Sequence, residues 1–544
     1  MADRVFETAG RYGGTAAYEY LGFRRSFAGL ERDTRRCARA LRALGIRPRD
    51  RVTVSLPNIP QAVILFYALN AIGAVACMTH PLSSAEEMSF YLSSAKPRAF
   101  FTMYGFYEKF RPALARQDGA LRVVLTGAGD ALPPIPAAAM SVAEKKPPRG
   151  GDVLRWREFL RFAERSPAGT PGEKPDSGDT AAILYSGGTS GKTKGILLTN
   201  GSFNALADMT ARASGSIVPG KKMLAVMPVF HGFGLGVCIH TALACGVTCL
   251  LVPRFTVKTY AALLKTRRPN YIAGVPTLFE ALLRLENTER LDLSDLDGVF
   301  SGGDTMTPGL RARVDEFLRA RGSPSRVREG YGLTECVTVC CLTPEGAGGT
   351  EPGCIGKPLD GMAMKITERG TERELCAEET GEICVSGPTV MAGYDGDEEE
   401  TREALRTHGD GRVWLHTGDL GEIGADGYVY FRGRIKRLIV SSGYSVYPYH
   451  VESVLCGHEF VERCCVVGVP DEYKMQRVKA YIVLKKGAPP EVEAIESVKA
   501  YCRASLAPYN RPREYEVRDS LPATALGKVA YRELEREAAE RKNA

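Results

Sequence analysis

The stretch Tyr185-Ser-Gly-Gly-Thr-Ser-Gly-Lys-Thr-Lys-Gly195 gathers donors suited to binding anions. It follows an apolar run, Ala181-Ala-Ile-Leu-Tyr185, that reads as a strand. Gly187, Gly188 and Gly191 let the backbone turn sharply and aim N–H groups at an anion. Ser186, Thr189, Ser190 and Thr193 add hydroxyl donors, and Lys192 and Lys194 add positive charge. A flexible surface turn rarely carries this many donors with two lysines, so the composition predicts a polyphosphate-binding loop. A Walker A loop needs Gly-x-x-x-x-Gly-Lys-Ser/Thr. If it ended at Gly191-Lys192-Thr193, its first glycine would fall at position 186, which is Ser. That mismatch argues against a P-loop ATPase.

Four shorter segments can complete a nucleotide site. Gly330-Tyr331-Gly332-Leu-Thr334-Glu335 joins a tight turn, an aromatic face, a hydroxyl and a carboxylate. Such a set can stack a base and hold a phosphate or Mg²⁺. His416-Thr-Gly-Asp419 puts a carboxylate on a turn, suited to paired ribose hydroxyls. Arg434-Ile-Lys436 follows a strand, and Gly527-Lys528 lies near the C-terminus. Each is weak alone, since a Thr-Gly-Asp or Gly-Lys pair is usually only a loop.

The elements that must position these residues read as α/β. Residues 29–44 place apolar side chains at helical spacing, and Gly45 ends the helix. Arg51-Val-Thr-Val-Ser-Leu is a short strand, and Asn58-Ile-Pro opens another apolar helix. Strand and helix patterns alternate to about residue 300, which predicts layers built on parallel strands. The Pro/Gly-rich stretches 127–151 and 165–178 read as exposed loops. Near 380–432 the pattern changes to short strands with turns. After 437 come two β-rich segments, 463–469 and 478–484, helical patterns between them, and a charged helix at 530–542. The predicted organisation is a large N-terminal domain of layered α/β subdomains (1–433), a hinge (434–436) and a small mobile α+β domain (437–544).

Composition narrows the function classes. Charged residues are 25% and apolar residues 44%, ordinary for a globular protein and unlike a disordered or collagenous chain. The formal net charge of +7 is small for this length and spread out, with no basic arm to suggest nucleic acid. Fifteen cysteines, an odd number with no Cys-x-x-Cys, read as buried free thiols in a reducing compartment. The N-terminus lacks a signal-peptide core, so the expected location is cytoplasmic. Met223 to Pro253 carries no Lys, Arg, Asp or Glu and is long enough to span a bilayer. Its prolines, histidines and glycines favour a buried loop followed by a buried helix. Peripheral membrane contact stays open.

In this order and spacing the segments resemble the adenylate-forming (AMP-binding) superfamily: acyl- and aryl-CoA synthetases, luciferases and peptide-synthetase adenylation domains. The resemblance runs from the helix at 29–44 to Lys528. It implies an enzyme that activates a carboxylate with ATP as an acyl-adenylate, releases pyrophosphate, and passes the acyl group to a thiol. By that resemblance the loop 186–195, Thr189 included, holds the β- and γ-phosphates. Thr189 and Glu335 hold Mg²⁺, and Thr334 meets the α-phosphate. Tyr331 stacks on adenine, Asp419 and Arg434 hold the ribose, and Gly302, Gly330 and Gly332 border the nucleotide. His231, in Pro228-Val-Phe-His, would sit beside the acyl carboxylate, and Lys528 would be the catalytic lysine of adenylation. Lys436 would be the pivot that removes the Lys528 loop and brings Gly443 and Tyr444 in to line a thiol tunnel.

Departures from the family pattern are few. Gly188 and Ser190 replace threonines and Thr193 replaces a proline, while Lys194 and Gly195 keep the end of the loop. Asp304 stands where many members have alanine, and could face the adenine amine or the rim of an acyl pocket. Val440 and Ser442 occupy positions that are lysines in luciferases, which argues against light emission. Only 16 residues follow Lys528, so free CoA is the expected acceptor rather than a carrier protein. Gly232, Gly234 and Gly236 suggest an open acyl channel, with no nearby charge to recognise an amino acid. A medium- or long-chain fatty acid is the first expectation, an aryl or arylpropanoid acid the second.

Overall fold

The computed structural model describes residues 1–543 apart from 118–120, 144–152, 166–174, 188–192, 347–352, 442–443, 472–474 and 525–527. Two large sheets carry the N-terminal part. In the first, the strands Lys222–Ala225, Thr248–Leu251, Tyr271–Gly274, Gly298–Gly302 and Val327–Tyr331 run parallel. Beyond Tyr331 the sheet continues through antiparallel strands to Gly381–Ser386, Val413–Ile423 and Val429–Arg434. In the second, Arg51–Ser55, Val75–Met78, Ala99–Met103, Arg122–Thr126, Val153–Arg155 and Thr180–Gly187 are parallel. Thr193–Thr199 then turns back antiparallel to Thr180–Gly187, pairing Ser186 with Lys194.

One core joins the two sheets. The helix Pro60–Ala71 is apolar on nearly every side and almost wholly buried, as a helix between layers must be. Its proline sits in the first turn, where no N–H is needed. Phe66 meets Phe203 of the helix Asn200–Ser214 edge-on, with ring centroids 5.6 Å apart. The uncharged run from Met223 is buried as expected, and the turn leads into a buried helix, the π-helix Phe233–Thr241, but the run also supplies the strands Lys222–Ala225 and Thr248–Leu251, which were not expected. At the end of the π-helix the Thr241 hydroxyl also donates to the Gly236 carbonyl at 2.9 Å. Among the described residues no helix is long and apolar enough to cross a membrane.

The C-terminal part has its own sheet, Ile439–Ser441, Tyr444–Val446, Val461–Asp471, Met475–Leu484 and Glu514–Val517. The helices Pro448–Cys456 and Glu491–Ser505 bury Val451, Leu455 and Val498 on one face of it. Tyr531–Asn543 packs Leu534 and Ala538 on Val467, Val469 and Tyr481. The fold is thus a large α/β unit with a smaller α+β unit. One expectation fails in part: within 127–151, Ala128–Ala131 and Pro134–Ala143 are helical rather than loop. Alanine and apolar spacing outweigh the prolines there, which sit near helix starts where they are tolerated.

Candidate active site

The site lies where the parallel strands of the first sheet end, the position at which open α/β sheets bind ligands. A cavity of about 790 Å³ there is lined by Ser186, Lys194, His231, Gly302, Gly330, Tyr331, Gly332, Thr334, Glu335, Asp419, Arg434, Lys436 and Lys528. Residues separated by more than 300 positions therefore face one space. Gly188, Thr189, Ser190, Gly191 and Lys192 lie outside the described residues, as does Gly443. Gly187 closes the strand Thr180–Gly187 that leads into them. Of Tyr444 only the backbone is described, in the strand Tyr444–Val446.

Asp419 and Arg434 face each other across neighbouring strands, which fixes their side chains as a pair. Arg434 Nε lies 3.0 Å from Asp419 Oδ1, and the Tyr331 hydroxyl donates to Oδ2 at 2.8 Å. Burial pushes the Asp419 carboxyl up, opposed by the Arg434 charge. The turn before it is built by Glu382, which accepts from Gly418 N at 3.0 Å and pairs with His416 Nδ1 at 3.0 Å. Glu382, Cys384 and His416 are close enough to hold a metal ion, but hydrogen bonds already occupy them. Cys384 contacts Thr367, and His416 Nε2 meets His408 Nε2 at 2.9 Å.

Glu335 is half-buried, and the Tyr394 hydroxyl donates to its Oε1 at 3.1 Å. Burial raises its carboxyl, leaving an under-compensated anion that suits a hard divalent cation. Lys194 lies over the Tyr394 ring at 4.8 Å and is ion-paired with Glu400. Sharp turns bring these groups together. A Cβ on Gly332 would lie 1.4 Å from the Thr338 carbonyl oxygen, so only glycine fits. Val337, at φ 62°, is held in a strained positive-φ turn by the same tight loop, with Thr338 N donating to the Cys336 carbonyl at 2.7 Å.

His231 is half-buried at the turn after Lys222–Ala225. Phe233 N donates to its Nδ1 at 3.3 Å, which puts the ring proton on Nε2. Burial, then the Lys528 charge, push the imidazole down to about 4, so it is a neutral N–H donor. Asn58 staples this turn: its Nδ2 donates to the Ala225 and Met227 carbonyls at 2.9 and 2.8 Å, and its Oδ1 accepts from Val229 N at 2.9 Å. Beyond His231 the cavity wall turns apolar, with Ile217, Met223, Phe233, Val237, Phe300, Val339, Leu342 and Leu359.

The glycines beside His231 do not open a channel. Cβ atoms on Gly232 and Gly234 would lie 1.6 and 2.0 Å from the Val337 and Pro228 carbonyl oxygens. On Gly236 a Cβ would lie 2.6 Å from Leu206 Cδ2. They serve close packing, and most of the run 223–253 is core rather than cavity wall. The thiols also differ slightly from expectation: all fifteen cysteines are free, but Cys376 is exposed.

Lys528 comes from the small domain, half-buried, its backbone N donating to Thr524 Oγ1 at 3.2 Å. Burial lowers its ammonium, Arg434 lowers it further, and Asp304 and Asp419 oppose that. Lys436 sits in the turn Ile435–Arg437 on the cavity wall. The next residue, Arg437, bonds Glu452 Oε1 at 2.6 Å and lies over Tyr531 at 4.7 Å, anchoring the small domain just past that turn.

The family profile described as AMP-binding enzyme matches residues 5–395, and the one described as AMP-binding enzyme C-terminal domain matches 450–528. The chain belongs to the AMP-binding enzymes. It is an AMP-forming acid–thiol ligase of that family, using ATP to activate a carboxylic acid. Among curated relatives, a long-chain-fatty-acid–CoA ligase of Bacillus subtilis is 31% identical over 97% of this chain and 92% of its own. The 4-coumarate–CoA ligase-like 9 of Oryza sativa subsp. japonica is 31% identical over 94% and 87%. The solved structure of the ATP-bound RpMatB–BxBclM chimera B1 superposes with a TM-score of 0.84 at 25% identity, covering 98% of each chain.

Against this AMP-binding enzyme's site, sequence reasoning missed Asn58, Tyr394, Glu400, Glu382 and Arg437. Asn58 carried a signal, an Asn between a strand and a Pro-started helix, and Glu382 another, sharing a strand face with Cys384. Tyr394 and Glu400 carried none.

Proposed function

We propose that this enzyme is a carboxylic acid–CoA ligase acting on medium- or long-chain fatty acids. The observation that carries the substrate class is the apolar wall beyond His231, which presents no charged side chain among the described residues lining it. A carboxylate held at His231 Nε2–H would run its chain along that wall. Phenylalanine, valine, leucine and methionine side chains there offer burial and no partner for a second polar group.

In the first half-reaction a carboxylate oxygen attacks the α-phosphorus of ATP and displaces pyrophosphate. Asp419 and Arg434 would hold the ribose, Tyr331 the adenine, Thr334 the α-phosphate, and Ser186, the loop 187–192 and Lys194 the outgoing phosphates. Lys528 would stand against the charge that builds as the two anions meet. Mg²⁺, held by Glu335 and Thr189, would supply neutralising charge on the triphosphate. In the second half-reaction the CoA sulfur attacks the acyl carbon and releases AMP. Residues 1–433 would form the adenylation domain and 437–544 the lid. The separate core of the small domain and the Arg437 anchor support a pivot at 434–436, with Lys436 as hinge and Gly443 and Tyr444 on the thiol tunnel. A reducing, cytoplasmic setting fits the free thiols.

A pyrophosphate-release screen over acids, with and without CoA, tests this. Turnover is expected to rise from acetate to octanoate and beyond, each fully buried methylene contributing about 0.8 kcal/mol at most. A screen in which acetate, benzoate or a hydroxycinnamate beats every fatty acid would overturn the assignment.

A further inference from the structure

We propose that Asp304 is a positioning residue that holds the Lys528 ammonium at the reaction centre during adenylate formation. The inference rests on reading Lys528 as the lysine of the first half-reaction. Asp304 follows Gly303, whose φ of 77° turns the chain out of the strand Gly298–Gly302 onto the exposed rim of the cleft. Its Oδ1 accepts from Thr305 N at 2.9 Å, and among the described residues its Oδ2 has no partner. Asp304 and Lys528 line one cavity of about 320 Å³ between the large and small domains.

Four charged or titratable groups bear on Lys528. Arg434 repels it, His231 is neutral, and Asp419 and Asp304 attract it. Asp419 is already committed to Arg434 and Tyr331. Asp304 is therefore the uncommitted anion, and it offsets the repulsion from Arg434 while the small domain is closed. Once the lid rotates, the acid lies at the rim in water, where it carries no desolvation cost. Its influence belongs to one half-reaction only. Because the carboxylate is exposed, the attraction is modest and screened by salt.

The test measures octanoate-dependent ATP–pyrophosphate exchange, and thioester formation from pre-formed octanoyl-adenylate and CoA, at low and at high salt. The variants are Asp304→Asn, Asp304→Glu and Lys528→Ala. Asp304→Asn is expected to slow exchange by about two- to fivefold at low salt, the range of an exposed ion pair, with the gap closing at high salt. Asp304→Glu should restore most of the rate, and thioester formation should be unchanged in both. Wild-type exchange in Asp304→Asn alongside a collapse in Lys528→Ala would overturn the role of Asp304. Equal losses in both half-reactions, or a loss indifferent to salt, would do the same. Unimpaired exchange in Lys528→Ala would instead refute the reading of Lys528, and this inference with it.

Discussion

Replacing Lys528 with alanine removes a half-buried ammonium that shares a cavity with His231, Asp419 and Arg434. At an effective dielectric of about 20, a unit charge about 4 Å from developing negative charge contributes about 4 kcal/mol. Loss of one donor from an oxyanion site costs about 10²–10³-fold, or about 3–4 kcal/mol, in comparable cases. The two agree, so Lys528→Ala should slow adenylate formation by about 10²–10³-fold. Arg434 stays in place but is paired with Asp419, so it cannot stand in. The second half-reaction should be nearly untouched, because the rotated lid takes Lys528 away before the thiol attacks. Supplying pre-formed acyl-adenylate and CoA isolates that step. If thioester formation falls as far as pyrophosphate exchange does, Lys528 is structural and the two-arrangement mechanism is wrong for this enzyme.

Two other expectations follow from the same geometry. Lys436→Pro fixes φ in the turn Ile435–Arg437, so adenylate formation should persist while thioester synthesis collapses; equal loss of both would mean Lys436 is not the pivot. The folded His231 ring is held down at about 4 by burial and the Lys528 charge. It should stay neutral, protonated on Nε2, as pH falls to 5, whereas the unfolded ring binds a proton near 6.5. That site's contribution to stability therefore declines as pH falls from about 6.5 toward 4. Nitrogen-15 imidazole spectra that show His231 titrating near 6.5 would refute this.

The sequence by itself determined the elements and most of the inventory of chemistry. Period-3.6 and apolar strand patterns marked the helix Phe27–Ala43, the strands Arg51–Ser55 and Thr180–Gly187, and the charged helix Tyr531–Asn543. These are local signals, because backbone hydrogen bonding and side-chain direction repeat over a few residues. Donor-rich loops such as Gly330–Glu335 were legible for the same reason: a phosphate or a base needs several groups close together, and one turn supplies them. Only the tertiary structure decided which groups meet. Asp419 finds Arg434 through antiparallel register, and Tyr394 reaches Glu335 across 59 positions. Asn58 holds the His231 turn from 171 positions away in the chain. The glycines after His231 show the limit most clearly. Read along the chain they suggested space, yet backbone oxygens crowd the missing Cβ positions of Gly232 and Gly234, and the Leu206 side chain crowds that of Gly236. Whether a small residue means a void or a close approach depends on what packs against it, and periodicity carries no record of that neighbour. Asp304 is the same case in charge: an unexplained acid in the sequence, and in the fold an exposed carboxylate that lines one cavity with Lys528.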